Sequence, residues 1–446
     1  DAVVETAHAA GLMVMIDLVL SHTSDEHPWF VERRAGRDND KANWYVWADA
    51  KRDGTPPNNW LSIFGGSAWQ WDGRRMQYYM HNFLREQPDL NFHEPQVQEA
   101  LLDVARFWLE RGVDGFRLDT INFYVCDQEL RDNPALPSED RNATIAPSVN
   151  PYNWQDHLYD KNRPENIDFL RKLRAVMDPY NAAAVGEVGD AQRGLEILGQ
   201  YTAGDDLMQM CYAFELLSGT RPTAARVAEV LRAFEKAAPD GWATWAFSNH
   251  DVARHARRWQ VSGPAQRAFA TLMMFLHGSA CIYQGEELGL SEANVAFEDL
   301  QDPYGIEFWP EFKGRDGCRT PMAWERDNAN AGFSTAPRTW LPVASEHLGL
   351  AVSAAEDDPG ALLHHYRRVI GLRHAQPALM KGTNAALKVE GNEISFSRRP
   401  EPEGDGEAVY FALNMGEDPS TLAPPDGTWS TAGLEINSAQ PGADGN

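Results

Sequence analysis

Apolar positions recur along this chain with two alternating periods. Between residues 94 and 111, Val97, Leu101, Val104, Ala105, Trp108 and Leu109 fall on one helical face, with Pro95 at the first helical position. Gly112 is placed to close that helix in a left-handed cap. The run 113–119 is too short for another helix and predicts a buried strand. Arg117 and Asp119 then point to the same side of it. The same rhythm predicts further strands at 12–20, 183–188, 207–214, 242–248 and 280–284. Helices are predicted at 165–177, 195–201, 224–237, 264–276 and 362–373. The run 12–20 is almost continuously apolar, broken by Asp17, as a buried parallel strand should be. Strand–helix repetition of this kind predicts a parallel sheet with crossover helices. Residues 1–10 read as the last turns of an amphipathic helix, so the chain opens in mid-helix and is expected to have lost its beginning.

The rhythm stops between residues 21 and 91. Aromatics and turn formers replace it: Trp29, Phe30, Trp44, Tyr45, Trp47, Trp60, Trp69, Trp71, Tyr78 and Tyr79, with Pro56-Pro57 and Gly65-Gly66 between them. So long a stretch is beyond an ordinary loop and predicts a small subdomain or a lid. Its aromatics are expected mainly to form its own core, although such rings also stack on ring-shaped ligands. Two irregular insertions, 121–160 and 286–345, hang from strand ends. After about residue 385 the pattern shifts to short alternating strands at 387–389, 393–397, 408–414 and 434–437, which predicts a compact all-β terminal domain.

Composition narrows the partners. The chain has 446 residues, 43% of them hydrophobic, enough for a large core and more than one domain. A net charge of −25 argues against nucleic acid and against anionic membrane surfaces. No apolar run is long enough to span a bilayer. Cys126, Cys211, Cys281 and Cys318 lie far apart without metal or redox spacing, and are expected to be reduced thiols of a cytoplasmic protein.

Acidic or imidazole groups fall at the C-terminal ends of four predicted strands: His22, Asp119, Glu187, and His250 with Asp251. On its own residues the Arg117–Asp119 pair reads as a structural ion pair. Four such groups at the same end of successive parallel strands are difficult to attribute to folding, because carboxylates there must be desolvated or paired. Carboxylates without a phosphate cradle or a dinucleotide fingerprint point to acid/base and nucleophilic work, as in glycoside hydrolysis. Arg117 would keep Asp119 ionised. Glu187, between Gly186 and Val188 with no cation beside it in sequence, is expected in an apolar setting that suits a general acid.

These residues resemble glycoside hydrolase family 13, the α-amylase family. Asp17-Leu-Val-Leu-Ser-His22 resembles its third-strand region, Gly115-Phe-Arg-Leu-Asp119 its nucleophile strand and Gly186-Glu-Val188 its acid/base strand. Phe247-Ser-Asn-His-Asp251 resembles its seventh-strand region, and Gln87-Pro-Asp-Leu-Asn91 the motif closing its inserted domain B. Gly317-Cys-Arg-Thr-Pro-Met-Ala-Trp324 and Asp25-Glu-His-Pro-Trp29 resemble the α-glucosidase and oligo-1,6-glucosidase branch.

The resemblance implies a (β/α)8 TIM barrel over 1–22 and 92–380, domain B at 23–91 after the third strand, and a C-terminal β domain at 381–446. It also implies that the first two βα units are missing, and with them the loop that carries the branch's calcium site, so that no metal and no cofactor are assigned. It makes Asp119 the nucleophile of a retaining α-glucosidase and Glu187 the acid/base. Asp251, His22 and His250 would bind the sugar, Arg117 would orient Asp119, and Thr120 would mark α-1,4 preference. The substrate would be a small oligosaccharide or glucoside. A glucosyl-transferring or sucrose-processing member, or a non-catalytic relative such as a transporter subunit, are the other readings.

Overall fold

The computed structural model describes residues 2–39, 41–141, 146–217, 219–400, 406–416, 418–421 and 424–425. The chain divides into two compact units, one of residues 1–212 with 237–242 and the other of 213–236 with 243–446.

In the first unit the predicted strands form at Met15–Leu18, Gly115–Leu118, Ala183–Gly186 and Met210–Ala213, each paired in parallel with the next. The register sets Arg117 opposite Asp17 on one side and opposite Val185 on the other. Phe116, Leu118 and Ala184 are fully buried. Gly115 is required here, since a Cβ would stand 2.2 Å from the Ala183 carbonyl oxygen. The preceding helix runs Pro95–Leu109 and buries Val97, Leu101, Leu102, Ala105 and Leu109. The larger of these side chains contribute about 1.5–3 kcal/mol each. Gly112 follows at φ +85°, the left-handed closure expected.

One expectation fails in this unit. The run 12–20 is not buried throughout: Leu12, Met13, Met15 and Val19 are exposed, at 62%, 81%, 40% and 44%. Among the described residues Met15–Leu18 has one strand partner, Gly115–Leu118, and within it only Leu18 is buried. A strand paired along one side keeps apolar side chains in contact with solvent.

Residues 47–80 hold a three-stranded antiparallel sheet with Gln77–Met80 between Trp47–Ala48 and Trp69–Asp72. The aromatics build its core: Trp60 and Trp69 stack at 5.8 Å over Ala48, Ala68, Met80 and Cys126. Their indole N–H groups are satisfied, Trp69 by Asn58 Oδ1 at 2.7 Å and Trp60 by the Arg131 carbonyl at 2.9 Å.

In the second unit the Ala243–Ala246 strand is buried along its whole length and pairs in parallel with Ser279–Cys281. Helices Ala224–Ala237, Pro264–Phe275 and Leu362–Ala375 form where they were expected. Thr383–Glu390, Glu393–Arg399 and Val409–Asn414 form the expected antiparallel sheet. The sheet is pinned to the Pro264–Phe275 helix by buried Arg398, which donates to the Phe275 carbonyl at 3.0 Å. The predicted strand 434–437 lies outside the described residues. All four cysteines are free thiols. Among the described residues no helix is long and apolar enough to cross a membrane.

Candidate functional site

In the first unit, Arg117, Asp119 and Glu187 meet at the ends of two adjacent strands. The Asp119 N–H bonds the Leu18 carbonyl at 3.3 Å and the Glu187 N–H bonds the Leu118 carbonyl at 3.0 Å. Strand pairing therefore brings the two carboxylates side by side. One guanidinium nitrogen of Arg117 donates to Asp119 Oδ1 at 2.6 Å and to Asp17 Oδ1 at 2.9 Å. The other donates to Glu187 Oε2. Burial alone would lower the Arg117 pKa, but Glu187, Asp119 and Asp17 outweigh it and raise it.

This corrects the reading of Glu187 as a carboxyl in an apolar setting. Its side chain is buried, as expected, but the cation paired with Asp119 reaches it too. The partner comes from 70 residues away, which is why inspection of the neighbouring sequence missed it.

Thr120 connects the same two groups. Its hydroxyl donates to Asp119 Oδ2 at 3.2 Å and its N–H lies 3.3 Å from Glu187 Oε2. The residue adopts φ 40°, ψ 53°, the left-handed conformation. His22 stands one strand away. Its Nε2 accepts from the Gln87 amide at 3.0 Å, which leaves Nδ1 to donate to Ser21 Oγ at 2.9 Å. Burial pushes the imidazole pKa down and the Asp119 charge pulls it part of the way back. Asp17 and Gln87 had not been singled out as site residues, although both stand inside the motifs quoted above.

The second unit carries His250 and Asp251 just beyond the Ala243–Ala246 strand. Asn249 Oδ1 accepts from the Asp251 N–H at 2.8 Å and from the Val252 N–H at 3.1 Å, which fixes the turn. Asp251 Oδ1 accepts from Arg315 and from Arg319, each at 2.9 Å, and Oδ2 lies 3.1 Å from His250 Nε2. Burial would raise the carboxyl, but His250, Arg315 and Arg319 hold it below the usual carboxylate range. Arg315 is itself held by Asp302, through Nε at 3.0 Å and a terminal nitrogen at 2.8 Å. Sequence reasoning had not found the two arginines, though Arg319 stands inside a motif it quoted.

Parallel strands whose ends carry paired carboxylates form a site suited to acid/base chemistry, and comparison with known proteins supplies the family. Residues 1–382 match the family described as "Alpha amylase, catalytic domain". The chain is 62% identical over 426 residues to a probable alpha-glucosidase of Rhizobium meliloti (strain 1021), covering 94% of this chain and 76% of that protein. It is 32% identical over 467 residues to an oligo-1,6-glucosidase of Heyndrickxia coagulans, covering 96% and 80%. Among solved structures, an alpha-glucosyl transfer enzyme, XgtA, superposes with a TM-score of 0.91 at 49% identity, over 98% of this chain and 80% of that one. The trehalulose synthase MutB from Pseudomonas mesoacidophila MX-45 superposes with a TM-score of 0.81 at 28% identity, over 96% and 79%. The chain belongs to the α-amylase family of glycoside hydrolases and, within it, to the α-glucosidase group. Its fold is the family's (β/α) barrel with a C-terminal β sheet.

Proposed function

We propose that the protein is a retaining α-glucosidase that removes terminal α-linked glucose, preferentially α-1,4-linked, from small oligosaccharides through a covalent glucosyl-enzyme. The observation that carries this reading is the single Arg117 guanidinium shared by Asp119 and Glu187. Two carboxylates on one guanidinium suit the separation of about 5–5.5 Å at which retaining enzymes work, rather than the about 6.5–9.5 Å that leaves room for an inverting water. Asp119, bound by Arg117 and the Thr120 hydroxyl, is the nucleophile that attacks the anomeric carbon. Glu187 protonates the departing glycosidic oxygen, then removes a proton from the water that releases β-linked glucose from Asp119. By the family resemblance His22 also binds a sugar hydroxyl, which would replace one of the two partners, Gln87 and Ser21, that its ring nitrogens meet in this structure. By the family resemblance, Asp251 and His250 bind sugar hydroxyls in the same reaction, and the arginines around Asp251 keep it ionised. Four free cysteines and the acidic balance suit the cytoplasm.

The test is stereochemical. NMR of the first anomer released from an α-glucoside should show α-glucose, and a trapped fluoroglucosyl label should map to Asp119. Release of β-glucose, or a label on another residue, would overturn the reading. A second reading, glucosyl transfer to a sugar or alcohol acceptor, is favoured by the 49% identity to a protein described as a glucosyl transfer enzyme. Transfer products exceeding free glucose from maltose would favour it over hydrolysis.

A further inference from the structure

Glu187 is followed by Val188 and Gly189 and preceded by Gly186. Glycines carry no Cβ, so little in the local sequence fixes the direction of a side chain between them. The restraint comes from across the sheet. The Ile121 N–H donates to the Glu187 carbonyl at 2.9 Å. One residue later Asn122 engages Gly189 twice: its Oδ1 accepts from the Gly189 N–H at 2.9 Å, and its Nδ2 lies 3.3 Å from the Gly189 carbonyl. Asn122 is completely buried. Its Nδ2 also donates to Asn162 Oδ1 at 2.7 Å, while its carbonyl accepts from the Asn162 N–H at 2.7 Å. Buried Lys161 completes the clamp, its Nζ donating to the same Gly189 carbonyl at 2.7 Å. A Cβ on Gly189 would lie 3.2 Å from the Phe123 ring, so the ring would have to yield by a few tenths of an ångström to admit it.

Asn122 is thus three residues past Asp119 and fastens the backbone two residues past Glu187. A fully buried amide making this many bonds is costly to lose, because the Gly189 N–H would be left unsatisfied. Buried ammonium and amide donors converging on one glycine serve a positional purpose.

We infer that Asn122, supported by Lys161, is a positioning residue that sets the orientation of the Glu187 carboxyl relative to Asp119. The inference rests on the reading of these two as acid/base and nucleophile. Displacing a reacting group by about 1 Å costs on the order of 100-fold in rate. The cost should fall on the step that needs proton donation, and so on substrates with poor leaving groups.

The experiment compares kcat/KM on maltose and on p-nitrophenyl α-glucoside for the native enzyme, Asn122→Ala and Glu187→Gln, with melting temperatures alongside. Asn122→Ala is expected to lose about 100-fold on maltose and far less on the aryl glucoside, in the manner of Glu187→Gln. A structural role alone would lower the melting temperature and reduce both activities by one common factor. Equal losses on both substrates, or none, would overturn the inference. Should Asn122→Ala fail to fold, Asn122→Asp is read by the same ratio, since it keeps an acceptor for the Gly189 N–H and removes the amide donor. If Glu187→Gln itself shows no leaving-group dependence, the assignment of the acid/base has failed, and that result is separate from any result at position 122.

Discussion

Arg117 binds Glu187 with one guanidinium nitrogen while the other holds Asp119 and Asp17. A planar fork can serve three carboxylates in fixed directions, whereas an ammonium is a single point charge. Arg117→Lys should therefore fold and bind substrate but lose about 100-fold or more in kcat. Turnover of p-nitrophenyl α-glucoside within tenfold of the native enzyme would show that the fork is dispensable.

Thr120 bonds Asp119 through its hydroxyl, and the family resemblance places it beside the leaving sugar. Thr120→Val removes that hydroxyl at nearly constant volume. The ratio of isomaltose to maltose turnover is expected to rise. An unchanged ratio, measured by glucose release, would place linkage choice elsewhere, for example in the 121–160 or 286–345 insertions.

Gly186 packs where no side chain fits easily. A Cβ there would stand 2.3 Å from Ile121 Cδ1 and 3.0 Å from Cys211 Sγ. Overpacking of this kind costs about 1–3 kcal/mol, so Gly186→Ala should lower the melting temperature and, one residue from Glu187, the activity as well. Ile121→Val deletes the clashing methyl. The double variant should regain much of both, and additive losses from the two changes would show that the clash is not the cause.

A buried histidine in the second unit makes a pH prediction. His365 is 1% exposed, and its Nε2 lies 3.0 Å from both the Arg267 carbonyl and Thr271 Oγ1. Burial pushes its pKa down from 6.5 to about 4, against the raising effect of the Arg267 carbonyl. As pH falls from about 6.5, the unfolded chain takes up a proton that the native one refuses, so this residue's share of stability is lost progressively down to about 4. His365→Gln should lose less melting temperature than the native protein between pH 7 and 4.5. Parallel curves would falsify the assignment.

The fold was legible because the core elements are written in local periodicity. The Pro95–Leu109 helix and its Gly112 cap, and the six parallel strands, stand where apolar spacing put them. Strands came out shorter than predicted, because an apolar run continues past the point where ladder bonding stops. What stayed hidden was pairing at long range. Arg117 meets Glu187 across 70 residues, and Arg315 and Arg319 meet Asp251 across 64 and 68. Such contacts depend on strand register and loop path, which no local window contains. The exposure of Met15 and Val19 was hidden for the same reason, since burial of a strand depends on what covers it.

Thr120 stands in the left-handed region, where a β-branched residue is a genuine outlier, and conformations of this kind cost about 1–3 kcal/mol. The residue that bonds Asp119, the proposed nucleophile, is thus also a spring held under load by its neighbours. Relaxing it, as Thr120→Gly would, ought to yield a sturdier and slower protein. Selection for heat resistance and selection for turnover would then pull this position in opposite directions, and a screen scored on stability alone would dismantle the site from its centre.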